Sequence, residues 1–243
     1  TGSAGTIGAG EYLKKVFPRM KIAASEALQC PTLLKNGFGG HRIEGIGDKH
    51  VPFIHNVKNT DFVIAIDDNN CMNLIRLFNE EAGQSYLKKM GIAGDLVEKL
   101  DLLGVSSVSN VLSAIKLAKY HECSKRDIIF TVLTDSMELY NSRLKELEEE
   151  HGAYDECQAA IDFNVNLKNL LTDNLLECSY QDRKRIHNLK YFTWIEQQGR
   201  DLDELNAQWY DPEYWDERFC TADAYDKLIE DFNKKVGLLD ELD

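Results

Sequence analysis

The chain has 243 residues and a formal net charge of −13 at neutral pH. This length suits one large domain or one domain with an appendage, and a hydrophobic content of 43% is ordinary for a globular protein. The acidity argues against a surface for nucleic acid or anionic membrane, because the phosphates of either would be repelled.

The cysteine spacing, the lengths of the apolar runs and the N-terminal sequence exclude further classes of protein. Six cysteines are scattered without a C-x-x-C pair or a histidine at metal-ligand spacing, so the sequence predicts neither a metal site nor a disulfide framework. No run approaches the roughly 18 apolar residues of a membrane span, and no export signal is visible. We predict a cytoplasmic protein with reduced thiols.

The chain opens on a glycine-rich stretch, residues 1 to 10, with no strand before it. We therefore expect the printed sequence to begin inside a domain. A glycine-rich loop that enters a helix, here predicted over residues 11 to 17, presents backbone N–H groups and a helix dipole to a phosphate. The same residues also suit a flexible terminus or a structural turn. A short buried strand is predicted over residues 20 to 24.

Apolar runs and helical patterns then alternate along the chain. Residues 61 to 66 predict a buried strand, and Asp67-Asp68 predicts the cap of a helix that runs through Phe78. A helix is predicted from about residue 110 to 120, followed by a continuous apolar strand over residues 127 to 133. Such strands between helices indicate a parallel sheet in an α/β domain.

The last hundred residues have a different composition. From about residue 145 onward the sequence is rich in charged helical patterns, includes three tryptophans and offers no convincing strand. We predict an α-helical extension over residues 145 to 243. Its aromatic segment, residues 185 to 199, packs onto the preceding domain, lines an interface or covers a site.

Four motifs stand in order between residues 1 and 144. They are Thr1-Gly2-Ser3-Ala4-Gly5-Thr6, His41-Arg42-Ile43-Glu44-Gly45-Ile46-Gly47, Gly104-Val105-Ser106-Ser107 and Thr134-Asp135-Ser136 with Tyr140. In sequence and spacing they resemble the pyridoxal-phosphate enzymes of fold type II, which include cysteine synthase, cystathionine β-synthase and the tryptophan synthase β subunit.

The resemblance implies a fold and a cofactor. Residues 1 to 144 would be the C-terminal part of a catalytic domain, a parallel-sheet three-layer αβα lobe, and the cofactor would be pyridoxal 5'-phosphate. The residues that it assigns to cofactor binding are Thr1, Gly2, Ser3, Ala4, Gly5, Thr6, Gly45, Gly47 and Ser106.

These residues have different implied roles. The first motif matches a phosphate cradle, although Ser3 and Ala4 replace glycines. Gly45 and Gly47 let the main chain approach a flat ring because they lack a Cβ, and a tight turn is the alternative. Ser106 would bond the pyridine nitrogen as a neutral hydroxyl, which favours α,β-elimination and replacement; a helix cap is the alternative.

Further polar residues lie in or near these motifs. Asp135 and Ser136 follow a predicted strand and are candidates to support the site, with packing or turn formation as an equal alternative. His41 and His55 are interpreted as hydrogen-bonded structural residues and not as acids or bases.

The resemblance also indicates what the chain lacks. In this family a Schiff-base lysine lies upstream of the glycine loop, so no catalytic residue is expected within this chain. Lys125, in a polar connection, is not a convincing substitute. We therefore expect a lyase or transferase that is inactive without an N-terminal half.

Three functions remain open. The first is β-elimination or β-replacement on a small amino acid such as serine, O-acetylserine or cysteine. The second is carbon–carbon chemistry, as in an amino-oxo acid thiolase subunit, because fold and cofactor do not fix the second substrate. The third is a non-catalytic fragment or regulatory subunit that retains a phosphate pocket. The expected partners are the N-terminal half, the amino-acid substrate and a second copy in a homodimer, with no metal, nucleic acid or membrane.

Overall fold

The computed structural model describes residues 5 to 237. It divides the chain into two compact units, Thr1–Leu189 and Lys190–Asp243. The first unit contains a small sheet with helices packed against it, and the second is helical. Thr1, Gly2, Ser3 and Ala4 of the first motif lie outside the described residues.

The first unit contains strands and helices in alternation. Its strands are β1 (Ala23–Ala27), β2 (Phe62–Ile66) and β3 (Leu175–Glu177). Its α-helices are α1 (Gly5–Val16), α2 (Thr32–Lys35), α3 (Asp68–Asn79), α4 (Glu81–Lys89), α5 (Gly94–Val97), α6 (Val105–Tyr120), α7 (Asn141–His151), α8 (Glu156–Asp162) and α9 (Tyr180–Lys190). Short 3₁₀ turns are formed by Val57–Asn59, Leu100–Leu102 and Met137–Tyr140, and a π-helical segment by Phe163–Lys168.

The second unit begins at the last residue of α9. It continues through a π-helical segment, Tyr191–Gln197, and then through α10 (Leu202–Tyr210), α11 (Tyr214–Cys220) and α12 (Ala222–Val236).

The sheet has β2 at its centre. This strand pairs in parallel with β1 and antiparallel with β3. All five residues of β2 are buried, as the continuous apolar run predicts for a strand covered on both faces. The predicted α/β class is confirmed, although the sheet is mixed and not wholly parallel.

The strand predicted over residues 20 to 24 lies three residues later. Ser25 and Glu26, which we expected to follow the strand, are inside β1. Glu26 is buried there because its carboxylate accepts the backbone N–H groups of Leu33 and Leu34, both at 2.9 Å. A polar side chain with such partners can occupy a core strand, which hydrophobicity alone does not predict.

The helix predicted after β2 is confirmed. Asp67 is the N-cap of α3, and its carboxylate accepts the backbone N–H of Asn69 at 2.8 Å. Helix α6 begins at Val105, within the motif Gly104-Val105-Ser106-Ser107, which we interpret from the sequence as opening a helix, and about five residues before the apolar helical pattern begins. Its first turn is rich in serine, which adds no apolar signal.

Residues 145 to 189 pack within the first unit. Lys116 of α6 is buried, and its ammonium donates to the carbonyl oxygen of Asp173 at 2.8 Å and to its carboxylate at 2.7 Å. The compact units therefore divide between Leu189 and Lys190 and not at residue 145. This stretch also contains β3, a strand of three partly exposed residues that the sequence did not predict. The assignment of residues 1 to 144 to a catalytic domain stays a prediction.

The strand predicted over residues 127 to 133 is not formed. These residues form neither helix nor strand, they are largely exposed, and no strand within residues 5 to 237 pairs with them. A β-strand needs a hydrogen-bonded neighbour, so high strand propensity alone does not produce one.

No single helix in the described part of the chain is both long and apolar enough to cross a membrane. A bent pair, Gly94–Leu102 with Val105–Tyr120, meets the criterion by length and composition only when taken together.

Candidate functional site

The second motif lies at the carboxyl edge of the sheet. A Cβ added at Gly47 would be 3.2 Å from the Cβ of Ala27, the last residue of β1. The backbone N–H of Arg42 donates to the carboxylate of Asp68 at 2.7 Å, just beyond β2. This edge is where ligands bind in open α/β sheets.

The structure places Gly45 beside Ser106. A Cβ added at Gly45 would lie 3.6 Å from both the Cβ and the Oγ of Ser106. Gly45 has a φ of +87°, a conformation that favours glycine. Ser106 is buried in the first turn of α6, and the N-cap of that helix is Gly104, so Ser106 is not a capping residue.

A third segment is attached to the same turn of α6. The hydroxyl groups of Ser106 and Thr134 are 2.6 Å apart, and the backbone N–H of Thr134 donates to Ser107 Oγ at 3.0 Å. The N–H of Gly104 donates to the carbonyl oxygen of Asp135 at 2.8 Å. Three motifs that are far apart in sequence therefore meet around Ser106.

Tyr140 supports this segment. Its hydroxyl donates to the Asp135 carboxylate in a short hydrogen bond. Burial and the bond to Asp135 raise the pKa of Tyr140 to about 12, so the phenol stays protonated at neutral pH and remains a donor. Asp135 is thus held in one orientation next to Thr134. Ser136 immediately precedes the 3₁₀ turn Met137–Tyr140.

Helix α7 holds the glycine loop in place. Arg42 donates to both carboxylate oxygens of Glu150, at 2.7 and 2.8 Å. Arg143 contacts the carboxylate of Glu44 at 2.5 Å. The hydrogen bond from Arg42 lowers the pKa of Glu150. The loop is therefore attached at two points to a helix that lies mostly in the predicted extension.

Several buried polar atoms around the loop have unused hydrogen-bonding capacity. The Nε2 atom of His41 lies 2.8 Å from the carbonyl oxygen of Gly47, as expected for a structural histidine. Within residues 5 to 237, however, no hydrogen bond is made by His41 Nδ1, Glu44 Oε2, Asp68 Oδ1 or Arg143 Nε. Buried polar groups normally have partners, so these atoms leave room for water or a polar ligand near the loop.

The remaining predicted residues lie on other segments of the chain. Gly5 and Thr6 are exposed at the start of α1, so residues 5 to 10 of the glycine-rich stretch are helical and do not form the predicted loop. A run of small residues is compatible with a helix, although loop glycines are more common. The first N–H groups of a helix have no partner within it. His55 is buried against the Thr60 hydroxyl at 2.7 Å, and Lys125 is in an exposed turn.

Metal-ligating residues are not grouped in the described part of the chain. No three histidine, cysteine, aspartate or glutamate side chains are placed there to hold a metal ion.

Comparison with known proteins supports the resemblance. No model of a protein family matches the chain. Cysteine synthase B of Campylobacter jejuni is 34% identical over 142 residues, and a cysteine synthase of Staphylococcus aureus is 30% identical over 142 residues; each match covers 58% of this chain and 40% of the relative. Cysteine synthase 3 of Caenorhabditis elegans is 31% identical over 157 residues, which cover 61% of this chain and 41% of the relative. The chain is a relative of the cysteine synthases.

The chain spans about 40% of the length of the cysteine synthases that it matches. Among solved structures, a hydrogen sulfide-producing enzyme of Fusobacterium nucleatum is similar at a TM-score of 0.45 and 26% identity, over 72% of this chain and 45% of that enzyme's chain.

Two residues of the glycine loop depart from the motif of the cysteine synthase family. Arg42 and Glu44 occupy positions where that motif has lysine and glutamine. The structure shows that both substitutions are matched by partners on α7, namely Glu150 and Arg143. In this chain, the two residues that depart from the motif are therefore the ones that attach the loop to α7.

The sequence did not identify every residue of the site. Thr134 contacts Ser106 directly, and Gly104 allows close approach of Asp135. Both residues stand inside the motifs named above, and this position in the sequence could have identified them. Arg143 had no such signal, because its partner Glu44 is 99 residues away.

Proposed function

We propose that this chain is part of a pyridoxal-phosphate enzyme that acts on a small amino acid by β-elimination or β-replacement, as the resemblance to cysteine synthases implies. The observation that carries this proposal is the meeting of Gly45, Ser106 and Thr134 at the carboxyl edge of the sheet.

The residues around Ser106 fit the cofactor. Gly45 has no side chain to cover the Ser106 hydroxyl, and its φ of +87° disfavours any other residue. A serine hydroxyl can donate one hydrogen bond and accept two. When Thr134 donates to Ser106 and not to the Asp135 carboxylate, which lies 3.4 Å from its hydroxyl, the Ser106 proton is free to be donated to a ring nitrogen.

The proposed roles follow from these groups. The cofactor, when bound, supplies an electron sink for a carbanion at the substrate α-carbon. Ser106 holds the ring nitrogen through a neutral hydroxyl and keeps its proton on Oγ. Thr134 fixes the orientation of that hydroxyl. The hydrogen bond from Tyr140 holds the carboxylate of Asp135, the residue that follows Thr134. Gly45 and Gly47 would let the main chain approach the ring, and the family resemblance assigns Gly5 and Thr6, together with residues 1 to 4, to the phosphate.

The remaining chemistry is assigned to polypeptide outside this chain. The family resemblance places the lysine that binds the cofactor aldehyde upstream of the first motif, so the N-terminal half of the same enzyme, or a subunit that carries it, would complete the site. The complete enzyme would work in the cytoplasm as a homodimer. A regulatory subunit that binds the cofactor weakly without turnover is the alternative outcome.

Ser106→Ala tests the proposed contact. We expect pyridoxal phosphate to bind the isolated chain about three- to tenfold more weakly after this change, because one hydrogen bond is worth about 0.5–1.5 kcal/mol. The fold should be retained. Equilibrium dialysis measures the affinity, and circular dichroism measures the fold.

Ser109→Ala is the matched control for that experiment. Ser109 is also buried in α6, and its hydroxyl makes no hydrogen bond within the described residues. Its replacement should leave the affinity unchanged. Equal affinities for Ser106→Ala and the wild type would show that Ser106 does not face the cofactor.

A further inference from the structure

Helix α12 carries an apolar face that is exposed along its whole length. Every residue of the helix is exposed except Asn233, which is partly buried. Its large apolar side chains are Tyr225, exposed by 62%, Leu228 by 63%, Ile229 by 56%, Phe232 by 63% and Val236 by 44%. A contiguous exposed apolar patch of this kind marks a surface that binds a partner.

The apolar residues of α12 follow the spacing of a coiled-coil seam. Steps of three and four residues alternate along Ala222, Tyr225, Ile229, Phe232 and Val236. On an α-helix this spacing forms a single stripe that lies against a second helix when it is buried. The expected partner of α12 is therefore another helix.

The seam is complementary to itself when two copies of α12 run antiparallel. With the midpoint of the pair between Ile229 and Phe232, each of these residues faces the other in the second copy, and Tyr225 faces Val236. Every layer then combines one aromatic ring with one β-branched side chain. A parallel pair would alternate layers of two aromatic rings with layers of two aliphatic side chains. Layers of equal volume fill an interface more evenly.

The charges at the two ends of α12 favour the same orientation. Asp223 and Asp226 lie in the first two turns, and Lys234 and Lys235 lie in the last turn. In an antiparallel pair the acidic end of one copy lies alongside the basic end of the other, and the two helix dipoles are opposed. A parallel pair would bring like charges together.

The same charges disfavour a membrane surface. Helix α12 carries four acidic and three basic residues, whereas helices that lie on anionic membranes have a polar face rich in lysine and arginine. A helix that pairs with a copy of itself needs no such excess of basic residues.

We propose that α12 joins two copies of this chain through an antiparallel helix pair. The interface uses no residue of the candidate site and none of the four motifs that carry the family resemblance, so the inference does not rest on the proposed function. The helix has 15 residues and is about 22 Å long. The pair is small beside standard interfaces of roughly 1,200–2,000 Å², so we expect a dissociation constant in the micromolar range.

Sedimentation equilibrium of the 243-residue chain tests the proposal, and we expect a monomer–dimer equilibrium. Ile229→Asp should weaken the dimer at least about tenfold, because its carboxylate would be buried without a partner. Ile54→Asp is the matched control, since Ile54 is also exposed, by 68%, and lies in a turn of the first unit. This control should dimerise like the wild type, and circular dichroism checks that both variants keep their helices.

Two charge variants test the orientation at low ionic strength. A chain with Lys234→Glu and Lys235→Glu is acidic at both ends of α12 and should dimerise about three- to tenfold more weakly, because acid then faces acid. In a parallel pair the same change would exchange one like-charge contact for another. Mixing this chain with a second variant that carries Asp223→Lys and Asp226→Lys should restore the dimer as a 1:1 heterodimer.

Several results would overturn the inference. They are a chain that stays monomeric at high micromolar concentration, a dimer that Ile229→Asp and Ile54→Asp form equally well, and charge variants that neither weaken the dimer alone nor restore it when mixed. Binding of the chain to phosphatidylserine vesicles through Ile229, without dimerisation, would also overturn it. None of these results bears on the binding of pyridoxal phosphate, which tests the proposed function separately.

Discussion

Replacing Gly104 with alanine is expected to destabilise the first unit by about 2 kcal/mol, the usual range for forcing an extra methyl group into a packed site. The added Cβ would overlap Asp135 Oδ1, and it would lie 2.7 Å from Asp135 Cγ and 3.0 Å from the Asp135 carbonyl carbon. If Asp135 moved away from residue 104 to relieve this overlap, the 2.8 Å hydrogen bond from the Gly104 N–H to the Asp135 carbonyl oxygen would break.

The same change should weaken cofactor binding, because Thr134 precedes Asp135 and orients the Ser106 hydroxyl. Urea denaturation and dialysis against pyridoxal phosphate measure the two effects. Gly8→Ala is the control, since nothing lies within 4 Å of a Cβ added there and alanine favours a helix by about 0.5–1 kcal/mol. A Gly104→Ala variant as stable as Gly8→Ala would contradict the packing described for the site.

The contribution of Glu26 to the free energy of unfolding is expected to fall as the pH rises. Burial raises the pKa of its carboxyl from 4.5 to about 7, although the N–H groups of Leu33 and Leu34 oppose this shift. The folded state thus holds the proton more tightly than the unfolded state. The stabilisation from this group is fully present below pH 4.5 and is lost as the pH rises through about 7. A tenfold change in proton affinity is worth about 1.4 kcal/mol, so the loss is about 3 kcal/mol.

Glu26→Gln isolates this contribution. We expect the free energy of unfolding of the wild type, relative to Glu26→Gln, to fall by about 3 kcal/mol between pH 4 and pH 8. Glu149→Gln, at an exposed position of α7, is the control and should follow the wild type. A constant difference between the wild type and Glu26→Gln across this pH range would show that the Glu26 carboxyl titrates normally.

Elements whose local signals and packing agree were predictable from sequence. The apolar run of β2 and the Asp67 cap of α3 are such cases, because the strand is buried on both faces and the cap bond spans two residues. The start of β1 was misplaced because the partners of Glu26 belong to a different element.

In the segment of residues 127 to 133, the local sequence signal and the structure disagree. Its composition predicts a strand, yet a strand also requires a neighbour to pair with, and no local signal supplies one. The short strand β3 was missed because its three residues are partly exposed and lie in a charged region.

The candidate site was predictable where a motif fixed the residue. Gly45, Ser106 and Asp135 were identified from sequence, and the structure brings them to one edge of the sheet. The attachment of the loop to α7 was not predictable, because the partners of Arg42 and Glu44 are about a hundred residues away. Contacts between distant charged side chains leave no periodic pattern in a sequence.

The central claim is that this chain carries residues that bind the cofactor ring and phosphate, whereas the lysine that binds the cofactor aldehyde lies on other polypeptide. The direct test is to incubate the 243-residue chain with pyridoxal phosphate and serine, O-acetylserine or cysteine, measure turnover, reduce with borohydride, and locate any modified lysine by peptide mapping. We predict no turnover and no specific adduct. Turnover together with a reduced adduct on one lysine of this chain, Lys125 included, would contradict the claim.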